Sequence, residues 1–510
     1  MAKKIIVSAL ALFVTISLFA QSPEVLKVRE WRMKHENRLL RDYMDFISIP
    51  NIASDTASLL RNASLIMDML KASDVQNVRL LEPLTKGAPP AVFGEVKTPG
   101  AKQTVIFYAH YDGQPVNAAN WYKGLEPFTP VLSNGPLGKD FKIIPVPGPQ
   151  TPIDPEWRIF GRGASDDKAG VMAIITAYRA LIATSQKPSV NIKFFFEGEE
   201  EAGSPHLQEI METYRSLLSS DLWIICDGPV HQSGKNSIVF GVRGDTNMEL
   251  ILYGPKKPLH SGHYGNWVSN PAWQLVQLLS TMKNEKGEVT IKGFYDDVLP
   301  LSADEKNALA QIPPVEDQMK KELGIMESER QSGLYETYNL PSLNINGIRS
   351  ADVGSLAANV IPVKASVALD LRLVVGNDWK KQQDKVVEHV RAQGYHVTER
   401  EPTDEDRENH PKIIQVVRKS GYNAQKTPMD IPEAKQVINA VQRTTQDPVV
   451  KIPTAGGSLP LFLFEKYLAA KTISVPVANH DNNQHAENEN IRIRNLWNGI
   501  ETMASIMMMK

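Results

Sequence analysis

Cysteine is almost absent from this chain of 510 residues, which contains only Cys226. A single cysteine cannot form an intramolecular disulfide, and it cannot supply the set of thiolates that a structural zinc site uses. Any metal ion bound by this protein must therefore be held by histidine and carboxylate side chains.

An excess of charge of either sign is also lacking, because 56 Lys and Arg residues nearly balance 58 Asp and Glu residues. The net charge of −2 gives no long-range field that would attract nucleic acid or an anionic membrane. The content of 42% hydrophobic and 22% charged residues is ordinary for a globular protein. We therefore expect a small, locally recognised substrate and no nucleic-acid partner.

Long hydrophobic runs are confined to the N-terminus, where Lys3 and Lys4 precede an apolar run over residues 5–19. This order is typical of a signal peptide, which we place at residues 1–20. The run is short for a membrane span, which needs about 20 apolar residues. We expect an exported protein, periplasmic or secreted, with no membrane partner beyond export. An uncleaved N-terminal anchor is the alternative.

The chain is long enough for two or more domains, and its patterning changes near residue 244. Before that point, apolar runs alternate with helical patterns, which predicts buried strands of a parallel sheet. These strands are expected at residues 104–109, 190–196 and 222–226. After it, the order strand, helix, two strands, helix, strand matches a ferredoxin-like unit. Its strands are expected at 248–253, 342–348, 364–374 and 395–400.

The α/β pattern returns from about residue 410, with helices expected at 432–446 and 491–508. We therefore predict an α/β fold in which one discontinuous domain, with a mixed and mostly parallel sheet, occupies residues 21–244 and 406–510. A smaller α+β domain at 245–405 is inserted between these segments. Residues 286–339 fit this pattern poorly and are expected to contain an extra helix or a lid loop.

Chemistry-bearing residues follow three of the predicted strands, namely His110, Glu201 and Asp227. Because the carboxyl ends of parallel strands meet at one edge of a sheet, these side chains are expected to converge. Asp166 and His485 can join them from loops. The glycines before Asp166 are not a nucleotide loop, because the required Gly-Lys-Ser/Thr ending is missing.

Two adjacent glutamates, Glu200 and Glu201, allow a division of labour at such an edge. One carboxylate can bind a metal ion while the other acts as a general base on metal-bound water. Each of these signals taken alone also fits a turn, a helix cap or a solvated loop. Their joint arrangement at one edge is a more specific signal than any one of them.

Five segments carry a resemblance to a known family, and they are HYDGQP, GRGASDDK, EGEEEAGS, ICDG and HAENE. In order and spacing they resemble the two-zinc exopeptidase family of carboxypeptidase G, aminoacylase and the carnosine and nonspecific dipeptidases. HYDGQP, Leu-His-Ser-Gly at 259–262 and Gly-Phe-Tyr-Asp-Asp at 293–297 look most like the dipeptidase branch. The resemblance implies a zinc-peptidase catalytic domain and an inserted lid or dimerisation domain.

The resemblance also implies a cofactor and its ligands. Two zinc ions are expected, for which manganese or cobalt could substitute. The implied roles are Asp166 bridging both ions, His110 and Asp227 completing one site, Glu201 and His485 completing the other, Glu200 as general base, and Asp112 as the partner of His110. The peptide bond between Asp166 and Asp167 is expected to be cis.

Further implied residues lie in the inserted domain and near the C-terminus. His260 resembles the histidine that supports the developing oxyanion, which in many relatives comes from the other subunit of a dimer, so a homodimer is expected. Arg372 resembles the residue that grips the substrate carboxylate, and guanidinium suits that contact. Asn359 is expected to contact substrate. The loop that receives the C-terminal end of the substrate is Gly456, Gly457 and Ser458.

The implied function is hydrolysis of dipeptides or very short peptides with a free C-terminal carboxylate. A hydroxide bridging the two ions would attack, with Glu200 as general base and then general acid. An N-acyl-amino-acid amidohydrolase is the alternative within enzymes, because it shares the metal site and differs in the pocket. A periplasmic binding protein without catalysis is the alternative outside them, although binding alone does not need Glu200 beside Glu201.

Overall fold

The computed structural model describes residues 21–510, so the predicted signal peptide at 1–20 lies outside the described residues. Two sheets organise the chain: an eight-stranded sheet, here the large sheet, and a five-stranded sheet, here the small sheet. Helices pack on both, and the predicted α/β class with a mixed sheet is confirmed. No helix within residues 21–510 has the length and apolar character that a membrane span requires.

The large sheet has a parallel centre, and the outer pairs are antiparallel except the last one, which is parallel. Its four central strands run in one direction, so their carboxyl ends share one edge. In spatial order the strands are Gln76–Leu81, Ala91–Val96, Asn191–Glu197, Thr104–His110, Leu222–Ile225, Thr472–Ser474, Ser237–Val239 and Val450–Ile452.

Both faces of the large sheet are covered, because alternate strand residues enter different cores. Phe107 packs among one group of helices and Tyr108 among another. The first group is Pro23–Ile47, Thr56–Lys71, Lys168–Ala183, Pro432–Gln442 and Ile493–Met507. The second is Leu207–Thr213 and Phe462–Leu468. This two-sided burial explains why the central strands are continuous apolar runs.

The small sheet is covered on one face by the helices Pro271–Ser280 and Trp379–Ala392. Its long central strand, Gly244–Tyr253, alternates buried and half-exposed residues as a one-sided sheet requires. In spatial order the strands are Ser342–Arg349, Lys364–Leu373, Gly244–Tyr253, Ile413–Tyr422 and His396–Thr398.

The last strand of the expected ferredoxin-like unit is not the one that the sequence predicted. Residues 395–400 were expected to complete the sheet, but only His396–Thr398 forms a strand, and it lies at the edge. Ile413–Tyr422 takes the place beside Gly244–Tyr253 and pairs with it in antiparallel register along nearly its whole length. The small sheet therefore extends through residue 422, past the predicted boundary at 405.

The poorly explained stretch at 286–339 contains three short helices, Ala303–Ala310, Glu316–Leu323 and Leu334–Thr337. Tyr335 and neighbouring apolar residues of this stretch pack on Val239, Val450 and Ile452 at the edge of the large sheet. In sequence this stretch lies between two strands of the small sheet, yet it packs against the edge of the large sheet.

Smaller elements complete the fold. A four-stranded antiparallel sheet contains Asn490–Arg492, Arg158–Phe160, Val131–Ser133 and Ile143–Ile144. Two-residue strands pair as Gly241–Val242 with Gln425–Lys426, and as Leu259–His260 with Val360–Ile361. The remaining turns and helices are Ala118–Asn120, Glu200–Ala202, Ser261–Tyr264, Gly354–Leu356 and Asp404–Asn409.

Candidate metal centre

Three candidate ligands come from the carboxyl ends of neighbouring central strands, as the parallel arrangement requires. His110 is the last residue of its strand, and Asp227 follows the strand Leu222–Ile225 by two residues. Glu201 lies in the helical turn Glu200–Ala202, just beyond the strand that ends at Glu197. The non-local pairing of these strands brings the three side chains to one edge.

Asp166 and His485 arrive from two loops that the four-stranded sheet joins. Asn490–Arg492 pairs with Arg158–Phe160, so the loop after residue 160 lies beside the loop before residue 490. Glu489 is buried between them, and its Oε1 accepts hydrogen bonds from the backbone nitrogens of Ser165 (2.8 Å) and Asp166 (3.0 Å). The Asp166–Asp167 peptide bond is cis, as the resemblance implied.

The five predicted ligands and Glu200 form two adjoining groups, here called the metal groups. One contains His110, Glu200 and Asp227, and the other contains Asp166, Glu201 and His485. Asp166 connects the groups through its two oxygens. Its Oδ1 lies 2.9 Å from His110 Nε2, and its Oδ2 lies 3.1 Å from His485 Nε2. Because one carboxylate faces both imidazoles, Asp166 is placed to bind two cations at once.

The remaining contacts hold the groups together. His110 Nε2 lies 3.9 Å from Asp227 Oδ2 and 3.8 Å from Glu200 Oε2, so Glu200 faces the same space as the predicted ligands. His485 Nε2 lies 3.3 Å from Glu201 Oε2.

Asp112 contacts residues of both groups and is placed to hold them in position. Its Oδ1 lies 3.3 Å from His110 Nδ1. Its two oxygens also accept hydrogen bonds from the backbone nitrogens of Glu200 (3.1 Å) and Glu201 (2.9 Å). One buried carboxylate therefore fixes an imidazole and the turn that carries both glutamates. Gln114 Nε2 adds a 2.7 Å hydrogen bond to Glu201 Oε2.

Burial and repulsion between neighbouring carboxylates both raise pKa values in this cluster. Burial, with the nearby charge of Asp166, raises the pKa of Glu201 to about 8 and that of Asp227 to about 6. The Asp166 carboxylate beside the imidazole raises the pKa of His485 to about 9. Burial opposes ionisation of Asp166 as well, but His110 and His485 hold its pKa below the usual range.

This donor set fits divalent metal ions. Four carboxylates converge with two imidazoles, and no Lys or Arg is among the described residues that line the cleft at this edge. Asp166 Oδ2 is buried without an aligned hydrogen bond in the described part of the chain, so it has a lone pair to give. Imidazole and carboxylate without thiolate suit zinc, manganese or cobalt.

The cleft beside the metal groups has a volume of about 550 Å³, within the range of small-molecule sites. Gly456, Gly457 and Ser458 line it together with Asp166, Glu200 and Asp227, as the prediction for this loop requires. Arg372 Nη1 donates a 2.9 Å hydrogen bond to Ser458 Oγ. Its Nε lies 3.1 Å from Asp370 Oδ1 and 3.4 Å from Asp245 Oδ1.

Two predicted site residues do not join this cluster within the described chain. His260 is exposed on its two-residue strand, where its Nδ1 accepts a hydrogen bond from the backbone nitrogen of Gly262 at 3.0 Å. Asn359 is also exposed, and its carbonyl accepts a hydrogen bond from the backbone nitrogen of Ser261 at 3.0 Å. The pairing of Leu259–His260 with Val360–Ile361 places the two residues side by side, outside the cleft lining.

Sequence reasoning missed three contributors to this region. Glu489 stands in the quoted HAENE segment, but its contacts depend on strand pairing that no local pattern reveals. Tyr335 and Tyr338 line the cleft from the poorly explained stretch. Their aromatic side chains, three residues apart, were a visible signal of a helix turn with one apolar side.

Comparisons with known proteins agree with these features. A family model described as peptidase family M20/M25/M40 matches residues 106–509. The chain is 27% identical over 484 residues to a Cys-Gly metallodipeptidase of Candida albicans, covering 90% of this chain and 92% of the relative. It is 27% identical over 461 residues to a Beta-Ala-His dipeptidase of Homo sapiens, covering 88% and 81%. An M20 family metallo-carboxypeptidase of Sulfolobus solfataricus superposes with a TM-score of 0.72 at 26% identity, covering 92% of this chain and 98% of that one.

Proposed function

The chain belongs to peptidase family M20/M25/M40, and from that membership we propose that it is a two-zinc dipeptidase. It would remove one residue from dipeptides or other very short peptides with a free C-terminal carboxylate. The observation that carries the proposal is the meeting of His110, Asp227, Glu201 and His485 around the two oxygens of Asp166. Manganese or cobalt would serve the same ligands.

Bound ions would polarise the peptide carbonyl and make the attacking water more acidic. The chain must then supply a base. Glu200 fits this role because its carboxylate faces the metal groups, while Asp112 fixes its backbone nitrogen at 3.1 Å. A carboxylate in this place can take the proton of the water and then pass it to the leaving amine.

Recognition of the substrate carboxylate would fall to Arg372 and the loop at 456–458. Arg372 is not itself among the described residues that line the cleft, but it already donates to Ser458 Oγ of the lining loop. The Asp245 and Asp370 carboxylates hold Arg372 Nε and so orient its other nitrogens. A guanidinium held in this way suits a bidentate contact with a carboxylate.

The names of two relatives support a dipeptide substrate, because one is a Cys-Gly and the other a Beta-Ala-His dipeptidase. The measurement is turnover of dipeptides, tripeptides and N-acyl amino acids by the full chain, with and without a chelator. We expect dipeptides to be hydrolysed fastest, and the chelator to abolish turnover. Preferential cleavage of N-acyl amino acids would replace this proposal by the amidohydrolase, and binding without turnover would replace it by a binding protein.

We also propose a homodimer formed through the small sheet. Ser342–Arg349 is an edge strand, and its Ile345 and Ile348 are 43% and 55% exposed. Exposed apolar edges of this kind favour pairing with another chain. With a second copy bound there, the exposed His260 of one subunit would reach the cleft of the other subunit. Sedimentation should give twice the chain mass, and Ile348→Lys should shift it towards the monomer; a monomeric wild type contradicts the dimer.

Export remains a proposal that rests on residues 1–20, and we expect the protein outside the cytoplasm. Fractionation of the producing cell with an antibody against the chain tests this expectation. Recovery in the cytoplasm at full length would contradict it.

A further inference from the structure

The cleft has a lining that the metal chemistry does not use. Apart from Asp166, Glu200 and Asp227, the described residues that line it include no Asp, Glu, Lys or Arg. Its apolar surface comes from Val239, Ile452, Tyr335 and Tyr338, among others. A charged substrate group that entered this part of the cleft would lose its hydration without meeting an opposite charge.

Two tyrosines form an aromatic wall in this lining. The rings of Tyr335 and Tyr338 meet edge to face with centroids 5.4 Å apart. Tyr335 is buried, and its hydroxyl donates a 2.6 Å hydrogen bond to Gln232 Oε1. The His231 ring lies on the other side of Tyr335, at a centroid distance of 5.2 Å. The wall is thus fixed by packing and by a satisfied hydroxyl.

His231 does not bring a charge to the wall. Its Nδ1 accepts a 3.1 Å hydrogen bond from the backbone nitrogen of Ser233, so Nδ1 carries no proton. Burial also lowers the pKa of His231 to about 4. The imidazole is therefore neutral at physiological pH, and the wall is uncharged throughout.

The wall adjoins the loop that is proposed to receive the substrate carboxylate. A Cβ atom at Gly456 would lie 2.6 Å from Tyr338 Cζ, so the ring packs directly on the Gly456 backbone. Thr454 Oγ1 donates a 2.9 Å hydrogen bond to Asn339 Oδ1, which ties the residue after Tyr338 to the same loop. A peptide whose carboxylate reaches this loop would place its last side chain beside Tyr338.

We propose that Tyr335 and Tyr338 form a side-chain subsite that selects peptides with a large apolar or aromatic C-terminal residue and rejects a charged one. This inference rests on the proposed dipeptidase function and goes beyond it by naming the preferred substrate class. The segment 334–338 packs on the edge of the large sheet and, on this proposal, determines which C-terminal side chain the enzyme accepts.

The test compares kcat/KM of the metal-loaded full chain on Ala-Phe, Ala-Gly, Ala-Lys and Ala-Glu. We expect Ala-Phe to exceed each charged peptide by at least about tenfold, because a buried charge without a partner is costly. Tyr338→Ala should lower kcat/KM for Ala-Phe by about 10-fold or more, as for other lost apolar contacts in a pocket, and for Ala-Gly by less than about threefold. Leu323→Ala changes a 65% exposed side chain outside the cleft lining and is the matched control.

Gln232→Glu provides a second variant in case Tyr338→Ala does not fold. A carboxylate at this position of the lining should raise the ratio of kcat/KM for Ala-Lys to that for Ala-Phe several-fold. The subsite proposal would be overturned if the wild type preferred Ala-Lys or Ala-Glu. It would also be overturned if Tyr338→Ala lost kcat/KM equally on Ala-Phe and Ala-Gly. Either result would leave the proposed dipeptidase function standing. Absence of turnover on every dipeptide would overturn the proposed function and the subsite with it.

Discussion

Glu200 is the residue on which the proposed chemistry depends most directly. Glu200→Gln keeps the shape of the side chain but removes its ability to accept a proton, so kcat should fall by about 10²–10⁴-fold. Bound metal, measured by elemental analysis, should remain unchanged because Glu200 is not one of the five proposed ligands. Glu199→Gln is a matched control, since the Glu199 carboxylate is bonded to His206 at 2.8 Å. Retained turnover in Glu200→Gln would refute its role as base.

His231 makes a second residue-scale prediction, which concerns pH. Its pKa in the folded chain is lowered to about 4 by burial, against about 6.5 in an unfolded chain. Between these values the unfolded state binds more protons, so His231 reduces stability as pH falls from about 6.5 to 4. His231→Gln removes this effect. The free energy of unfolding of the wild type, relative to His231→Gln, should therefore decline across this window in urea titrations. A difference that is constant with pH would contradict the neutral imidazole.

Among the secondary-structure elements, the pairing of Asn490–Arg492 with Arg158–Phe160 brings together the two loops that carry Asp166 and His485. Glu489 is buried beside this pairing and lies 2.7 Å from the Arg162 guanidinium. It also accepts hydrogen bonds from the backbone nitrogens of Ser165 and Asp166. Glu489→Ala leaves Arg162 buried and unpaired, so it should lower the free energy of unfolding by about 3–5 kcal/mol in urea titrations.

Glu487→Ala is the control for this change, because its carboxylate makes only a surface hydrogen bond with Asn120 among the contacts of the described chain. We expect little change in its stability. Equal destabilisation by Glu487→Ala and Glu489→Ala would show that the loop as a whole, rather than the Glu489 contacts, is responsible.

The elements differ in how far they could be predicted from the sequence. The central strand at 104–109 was predictable because it is buried on both faces and reads as one apolar run; the structure extends it only to His110. The last strand of the small sheet was not, since 395–400 and 413–422 both have strand character and the choice depends on which one pairs with Gly244–Tyr253. The long helix Pro23–Ile47 was not predicted, although its buried residues recur at helical spacing.

The same distinction applies to the site. The five proposed ligands were found because each stands in a distinctive segment of sequence, and the convergence of parallel strand ends is a general rule. Glu489, Tyr335 and Tyr338 act through contacts between segments that are far apart in the chain. The spacing of Tyr335 and Tyr338 indicates a helix turn with one apolar side, but no local pattern shows which distant segment that side, or Glu489, contacts.

At the scale of the whole molecule, the metal groups and the residues proposed to hold the substrate come from different parts of the chain. The metal groups lie at the edge of the large sheet, whereas Arg372 belongs to the small sheet and donates a hydrogen bond to Ser458 of the loop at 456–458. The stretch with the helices Ala303–Ala310 and Leu334–Thr337 links the two sheets, and the Glu305 carboxylate pairs with Lys426 at 2.5 Å. If Arg372 and this loop hold the substrate as proposed, hydrolysis needs residues from both sheets.

The most direct test of the central claim is the number of divalent ions bound per chain, measured by elemental analysis after dialysis. The account predicts about two ions in the wild type, because Asp166 has one oxygen towards each group of ligands. Asp166→Ala should bind close to none, since both sites lose their shared carboxylate. A wild type without bound ions in zinc-containing buffer, or an Asp166→Ala variant that retains two, would contradict the account.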